Sequence, residues 1–275
     1  MLRIIANWNE DTLYYGFPIS DPRLFIRGVL EAVEAPSSVV VDFTDLVCNG
    51  YYEGTEKLSD EAKASVRMEF VSTTRIIVLT EGSTDAEFLE KSLKVLYPEL
   101  APLYSFTDFS VPRMEGGAAK LVRILKGFIG SGVANRVIAI FDNDTAATEA
   151  LRSLQDLSLP QNIRVMRYPD LEYAKRYPTI GPQGIAELDV NGLAGSLEIY
   201  FGMDVLRSSN QELVPVQWKG FNQSLNQYQG ELIDKRYLQD AFRKKLENAR
   251  VQLIETSDWS GMKLILESLF SAFSC

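Results

Sequence analysis

The chain has 275 residues, with 28 basic and 37 acidic side chains, a formal charge of −9, two cysteines and no histidine. Without histidine, neither a Ser-His-Asp nor a Cys-His nucleophile can be assembled from it, nor an imidazole-ligated zinc or iron centre. Cys48 and Cys275 lie too far apart in sequence for a disulfide framework or a thiolate zinc site, so any metal must be held by carboxylates, which favours a hard cation such as Mg²⁺ or Mn²⁺. No apolar run approaches the roughly 20 residues of a membrane span, and "MLRIIANWNEDTLYY" lacks a signal-peptide pattern. A cytoplasmic protein with no membrane partner is expected. The charge is uneven: residues 1–70 carry twelve acidic and six basic side chains, and the rest twenty-five and twenty-two.

In chain order, "SDPRLFIRGVLEAVE" (20–34) has a helix start at Asp21–Pro22 and helical apolar spacing. "SVVVDFTDLV" (38–47) is β-branched and predicts a strand, and 59–70 a further helix. From Arg75 the pattern becomes regular. Apolar strands are expected at 75–80, 103–109, 136–142 and 163–169, alternating with helices at 85–96, 116–132 and from 145 through Leu154. Fully apolar strands alternating with amphipathic helices predict a parallel sheet covered on both faces. "YPTIGPQG" (177–184) reads as a Pro- and Gly-bearing loop, "AGSLEIYF" as helical, and 234–250 and 260–273 as closing helices. The first of these two, "DKRYLQDAFRKKLENAR", carries six basic residues, which suit either a solvated face or a phosphate backbone.

The expected strand at 136–142 ends in Asp142-Asn143-Asp144, and that at 75–80 runs into Glu81. In a parallel sheet such ends line the ligand crevice. Residues two apart on an extended chain face the same way, so Asp142 and Asp144 can converge on one cation with Glu81 entering from a neighbouring strand. Like charges tolerate such proximity when a divalent cation lies between them. Plainer readings exist: Thr84 and Glu87 fit a capping box with Asp85 favoured in the first helical turn, and Asp-Asn-Asp suits a turn and helix start.

"IIVLTEGSTDAEFL" followed by "IAIFDND" resembles the Toprim domain, which joins a strand-end Glu-Gly-x-x-Asp to a later strand-end Asp-x-Asp. The resemblance covers about 75–170. It implies a Toprim-like, Rossmann-like sheet with metal and acid–base roles for Glu81, Asp142 and Asp144, and a further metal-binding acid at Asp85 as in OLD-type nucleases. "WNEDTLYYGFPISDP", "VVVDFTDLV", "FDNDTAA" and "YQGELIDKR" look like the HEPN/Toprim-associated proteins of bacterial conflict systems. That similarity implies antiphage defence and leaves open a defence-system partner. The HEPN active site itself needs a histidine this chain lacks.

By the same resemblance, Lys235 in "GELIDKR" matches a late lysine that stabilises charge at the scissile phosphate, with Lys219 and Lys244 as alternatives. Glu198 in "GLAGSLEIYF" matches a glutamate that would complete a second cation site. Three segments are expected: an αβ unit at 1–72, a Toprim domain at 73–202, and a helical extension at 203–275 packed on it. The expected activity is Mg²⁺- or Mn²⁺-dependent hydrolysis of DNA or RNA. The alternative is a non-catalytic Toprim unit binding nucleotide, nucleic acid or a partner protein. A topoisomerase would need strand-gating domains, and a primase of this kind usually carries a zinc module.

Overall fold

The alternation of strand and helix expected from Arg75 onward is realised in a computed structural model, which describes residues 22–31, 42–53, 55–57, 74–107, 117–155, 157–208, 210–249 and 257–273. The chain divides into two units, Met1–Ser59 and Asp60–Cys275. In the first, α1 (Pro22–Glu31) begins with proline at its first position, where the missing N–H costs nothing. Arg27 Nε donates to Glu31 Oε1 at 2.8 Å one turn on. The strand expected at 38–47 is not formed over its second half, because Thr44–Cys48 is a short helix, α2. Asp42 overrides the β-branched pattern: its Oδ1 accepts from Thr44 N at 2.9 Å and Thr44 Oγ1 at 2.6 Å, which starts the turn. Residues 38–41, the helix expected at 59–70 and the strand tail at 108–109 lie outside the described residues.

The second unit runs β1 (Ile76–Leu79), α3 (Ser83–Leu96), β2 (Tyr104–Thr107), α4 (Ala118–Ser131), β3 (Val137–Phe141), β4 (Asn143–Asp144), α5 (Thr145–Arg152) and β5 (Ile163–Arg167). Strands β1, β2, β3 and β5 form one parallel sheet in the order β2-β1-β3-β5, with Ile77 beside Val137 and Leu79 beside Ala139. Alternation sends Ile76, Val78, Ile138 and Ile140 to one face, where they pack with Phe88, Leu89 and Leu93 of α3. Leu79, Val137, Ala139 and Phe141 face the other way, onto Leu121, Val122 and Leu125 of α4 and Ala147 of α5. Each fully buried Val, Leu, Ile or Phe contributes roughly 1.5–3 kcal/mol relative to exposure. Helices thus flank a four-stranded parallel sheet on both faces, as in Rossmann-like folds.

Beyond Tyr168 the chain departs from expectation. The segment read as a loop is a hairpin, β6 (Tyr177–Gly181) and β7 (Gly184–Leu188), joined by Pro182-Gln183. Proline is tolerated at 178 because the pairing of β6 with the later strand at 216–222 begins only at Thr179. "AGSLEIYF" is helical only in its second half: β8 (Ala194–Gly195) pairs antiparallel with β4, and a 3₁₀ helix capped by Ser196, with Glu198 in its first turn, follows at Leu197–Tyr200. The expected helical extension opens instead with a second hairpin, β9 (Val216–Asn222) and β10 (Gln227–Leu232), which completes a sheet of order β10-β9-β6-β7. Only then come the two expected helices, α6 (Lys235–Ala249) and α7 (Ser260–Ser271), which bury Leu238, Phe242, Ile265 and Leu266 in the core of the α3 side. Among the described residues no helix is long and apolar enough to cross a membrane.

Candidate functional site

The strand order fixes where a ligand crevice falls. The chain passes from β1 outward to β2, then returns across β1 to β3, so the connections after β1 and β3 diverge and leave a crevice between their C-terminal ends. Glu81 lies two residues beyond β1, and Asp142 directly follows β3. The two are joined across that point: Asp142 N donates to Glu81 Oε1 at 3.0 Å. Asp142 is half-buried. Its Oδ1 is sealed from solvent and has no hydrogen-bond partner among the described residues.

Asp85 and Asp144 both serve helix starts. Gly82 N donates to Asp85 Oδ2 at 3.1 Å, so the cap of α3 is Gly82 with Asp85, not Thr84 with Glu87. Glu87 turns away to Lys91, at 2.6 Å. Asp144 caps α5 by accepting from Ala147 N at 2.7 Å, and its Oδ2 accepts from Gln229 Nε2 of β10 at 2.9 Å. The two-residue β4–β8 ladder carries the chain back past this edge and delivers the buried Glu198 in the following 3₁₀ turn. Glu198 Oε1 accepts from Gln239 Nε2 of α6 at 2.8 Å, and its Oε2 lies 3.8 Å from Lys235 Nζ. Lys235 also lies 3.5 Å from Glu231.

The electrostatics bind these residues into one group. Burial lifts the Glu81 carboxyl to about 7 against the bond from Asp142 N, with Asp144 and Asp85 adding to the rise and Lys235 opposing it. Burial and then the Glu198 charge lift Asp85 to about 7. Burial, followed by Asp85, Glu81 and Asp144, pushes Asp142 well above the carboxylate range. Burial alone would weaken the charge of Lys235, but Glu198, Asp142 and Glu231 outweigh it and hold the ammonium above its ordinary value. Glu81 and Asp142 are therefore each within electrostatic reach of both Asp85 and Asp144. Glu198 enters that set through its coupling to Asp85 and Lys235. Lys219 instead reaches Gln217 on β9, at 3.0 Å.

Several neighbours carry no sequence motif. Tyr168 follows β5 and is tied to β3 by its N–H to Phe141 O at 2.9 Å. Burial first, then Asp85, Asp142 and Glu81, push its phenol well above 10. Asn143 Nδ2 donates to Asp170 at 2.7 Å. Continuing the β4–β8 register by one residue sets Ser196 opposite Asp142, and the Ser196 hydroxyl is likewise buried without a partner among the described residues. A lone serine two residues before Glu198 in an apolar stretch was the available signal, and a helical reading of that stretch hides it.

The donor set is all oxygen, as a hard divalent cation requires. Asp142 Oδ1, sealed from solvent and without a donor among the described residues, is the kind of orphaned atom a cation would satisfy. Among the described residues, however, no three carboxylate or thiol ligands are already gathered as an ion cage. Asp85 spends an oxygen on a helix cap, Glu198 one on an amide, and Asp144 one on each. The donor chemistry suits a hard cation, and Glu81 and Asp142 meet at the crevice. Comparison with protein-family models, with curated proteins and with solved structures finds no match for this chain.

Proposed function

We propose that this chain is a Toprim-type, divalent-cation-dependent phosphodiesterase acting on nucleic acid in the cytoplasm, of the kind found in bacterial antiphage systems. The observation that carries the reading is the juxtaposition of Glu81 and Asp142 across the β1/β3 switch point, with Asp142 Oδ1 unpartnered among the described residues and Lys235 acting on both. Glu81, Asp142 and Asp144 would hold one Mg²⁺ or Mn²⁺, and Asp85 with Glu198 would contribute to a second. Such cations supply charge neutralisation and Lewis acidity toward a phosphodiester.

The protein groups do the remaining work. Lys235 offers a fixed positive charge to the scissile phosphate, where negative charge grows as a water oxygen bonds to phosphorus and the bridging P–O bond breaks. By the Toprim resemblance, one of Glu81, Asp142 and Asp144 would take the proton that water releases. The leaving oxygen is protonated in turn, so hydrolysis balances with one water consumed.

The test is cleavage of labelled single-stranded DNA, duplex DNA and RNA with Mn²⁺ or Mg²⁺. Wild type should cleave at least one. Asp142→Asn should lose all divalent-dependent cleavage, and Lys235→Ala should be slowed about 10²-fold or more, the scale of losing one charge stabiliser. The helix-capping duties of Asp85 and Asp144 favour a second reading, a non-catalytic unit binding nucleotide or a partner. Metal-dependent stabilisation without cleavage of any of the three substrates would select it.

A further inference from the structure

We propose that the β9–β10 hairpin is a stacking platform for unpaired bases, which makes the substrate class of the adjoining site single-stranded nucleic acid. The inference rests on the phosphodiester reading for its choice of occupant. Its starting point is composition: residues 213–230 contain Lys219 and no acidic side chain, in a chain of net charge −9. Three aromatic residues and six Gln or Asn residues fill the same stretch. Segments that bind single strands combine aromatic rings with positive charge.

The geometry gathers the rings. Phe221 pairs with Tyr228 across the hairpin, and their ring centroids lie 5.0 Å apart at 68°. A register shift between Gln229 and Gly230 gives β9 one extra residue, which sets Trp218 opposite Gly230. Trp218 and Tyr228 are then 6.0 Å apart. Glycine is required at 230, because a Cβ there would meet Val216 Cγ1 at 2.7 Å and the Trp218 ring at 3.0 Å. Trp218 anchors the strip on the core, while Tyr228 and Phe221 remain 57% and 47% exposed. The rings touch at an angle rather than face to face, so ring surface remains for a base to cover.

The strip is continuous with the carboxylate site. Tyr228 O accepts from Thr145 Oγ1 at 2.6 Å, and the next residue, Gln229, holds Asp144 Oδ2. At the hairpin tip, Asn222 Nδ2 and Ser224 Oγ donate to Glu149 of α5, and Arg152 Nη1 donates to Ser224 O at 3.1 Å. The platform is thereby fixed to the helix that Asp144 caps. Lys219 and Arg152 are cations beside it for a phosphate backbone. Bases in a duplex present no free faces, so only unpaired ones can cover Tyr228 and Phe221.

The test is binding of the full chain, in EDTA, to fluorescein-labelled oligo(dT), oligo(U) and a blunt duplex of about 20 nucleotides, somewhat longer than a typical single-strand site. Both single strands should bind, at least tenfold tighter than duplex. Tyr228→Ala and Phe221→Ala should each weaken single-strand binding about tenfold, the scale of losing one base–aromatic stack. Tyr228→Leu serves if the alanine variant loses its far-UV circular dichroism.

Equal affinity for duplex, unaltered affinity in all ring variants, or no binding of either strand would overturn the platform. So would a dimer, detected by light scattering, that Tyr228→Ala dissociates, because the strip would then cover a second copy. EDTA separates the two proposals. Ring-dependent single-strand binding with no cleavage under Mn²⁺ keeps the platform and removes the nuclease. Cleavage with ring variants that bind as wild type does the reverse.

Discussion

Glu81 and Asp85 keep protons at pH values where ordinary carboxylates have lost them, and this has a thermodynamic sign. A carboxyl raised from 4.5 to about 7 binds its proton more tightly in the folded chain than in the unfolded one. Its contribution to stability is complete below about pH 4 and is lost as pH rises through 7. At about 1.36 kcal/mol per pH unit, the Glu81 share is on the order of 3 kcal/mol, titrating jointly with Asp85. Wild type without metal should therefore lose stability to urea between pH 5 and pH 8, and Glu81→Gln should lose distinctly less. Millimolar Mg²⁺ at pH 8 should restore wild type and do little for the variant. Parallel pH dependence in the two proteins would show that the carboxyls do not share this site.

At the scale of elements, two residue pairs hold the site together. The β4–β8 ladder is only Asn143–Asp144 against Ala194–Gly195, yet it directs Glu198 back toward Lys235. A Cβ on residue 195 would stand 2.6 Å from Asn143 O and 2.9 Å from Asn143 Cβ, so the ladder cannot close over any other side chain. Gly195→Ala should cost about 1–3 kcal/mol, the usual scale of overpacking. Under the proposed cation-binding role, it should also weaken the rise in melting temperature expected on adding Mg²⁺, because Glu198 is displaced with the strand. A melting curve indistinguishable from wild type would mean that the ladder relaxes freely and does not position Glu198.

At the scale of the whole second unit, the buried Lys245 of α6 clamps segments that are distant in sequence. Its ammonium donates to Phe201 O and Asp204 Oδ1, each at 2.8 Å, and to Asp258 O, and it lies 4.6 Å from the Trp259 ring. Burial pulls its pKa below the ordinary lysine value despite Asp204. The clamp ties the end of the 3₁₀ turn that carries Glu198 to both C-terminal helices. Lys245→Ala leaves two carbonyls without their donor and should cost about 2–4 kcal/mol, read as a lower urea midpoint. An unchanged midpoint would mean that water replaces the ammonium at no cost.

The sequence by itself determined the parallel sheet. Runs such as "RVIAIF" are apolar on both faces and alternate with helices whose apolar residues fall on one side, and these are local periodicities. It also put Glu81 and Asp142 at strand ends, because an abrupt charge after a buried strand is itself local. It did not reveal the second sheet. "YPTIGPQG" carries Pro and Gly that read as loop and "QWKGFNQ" falls in the expected helical extension, yet both become strands by pairing with their hairpin partners and with each other. "AGSLEIYF" has helical composition, but Asn143 backs onto Gly195 and claims its start as a strand. Thr84 and Glu87 matched a cap that Gly82 and Asp85 form instead, since the helix start depends on where β1 releases the chain. Meetings across the fold, such as Lys235 with Glu198 at 3.8 Å and Gln229 with Asp144 at 2.9 Å, depend on strand order and register, which only the packed chain decides.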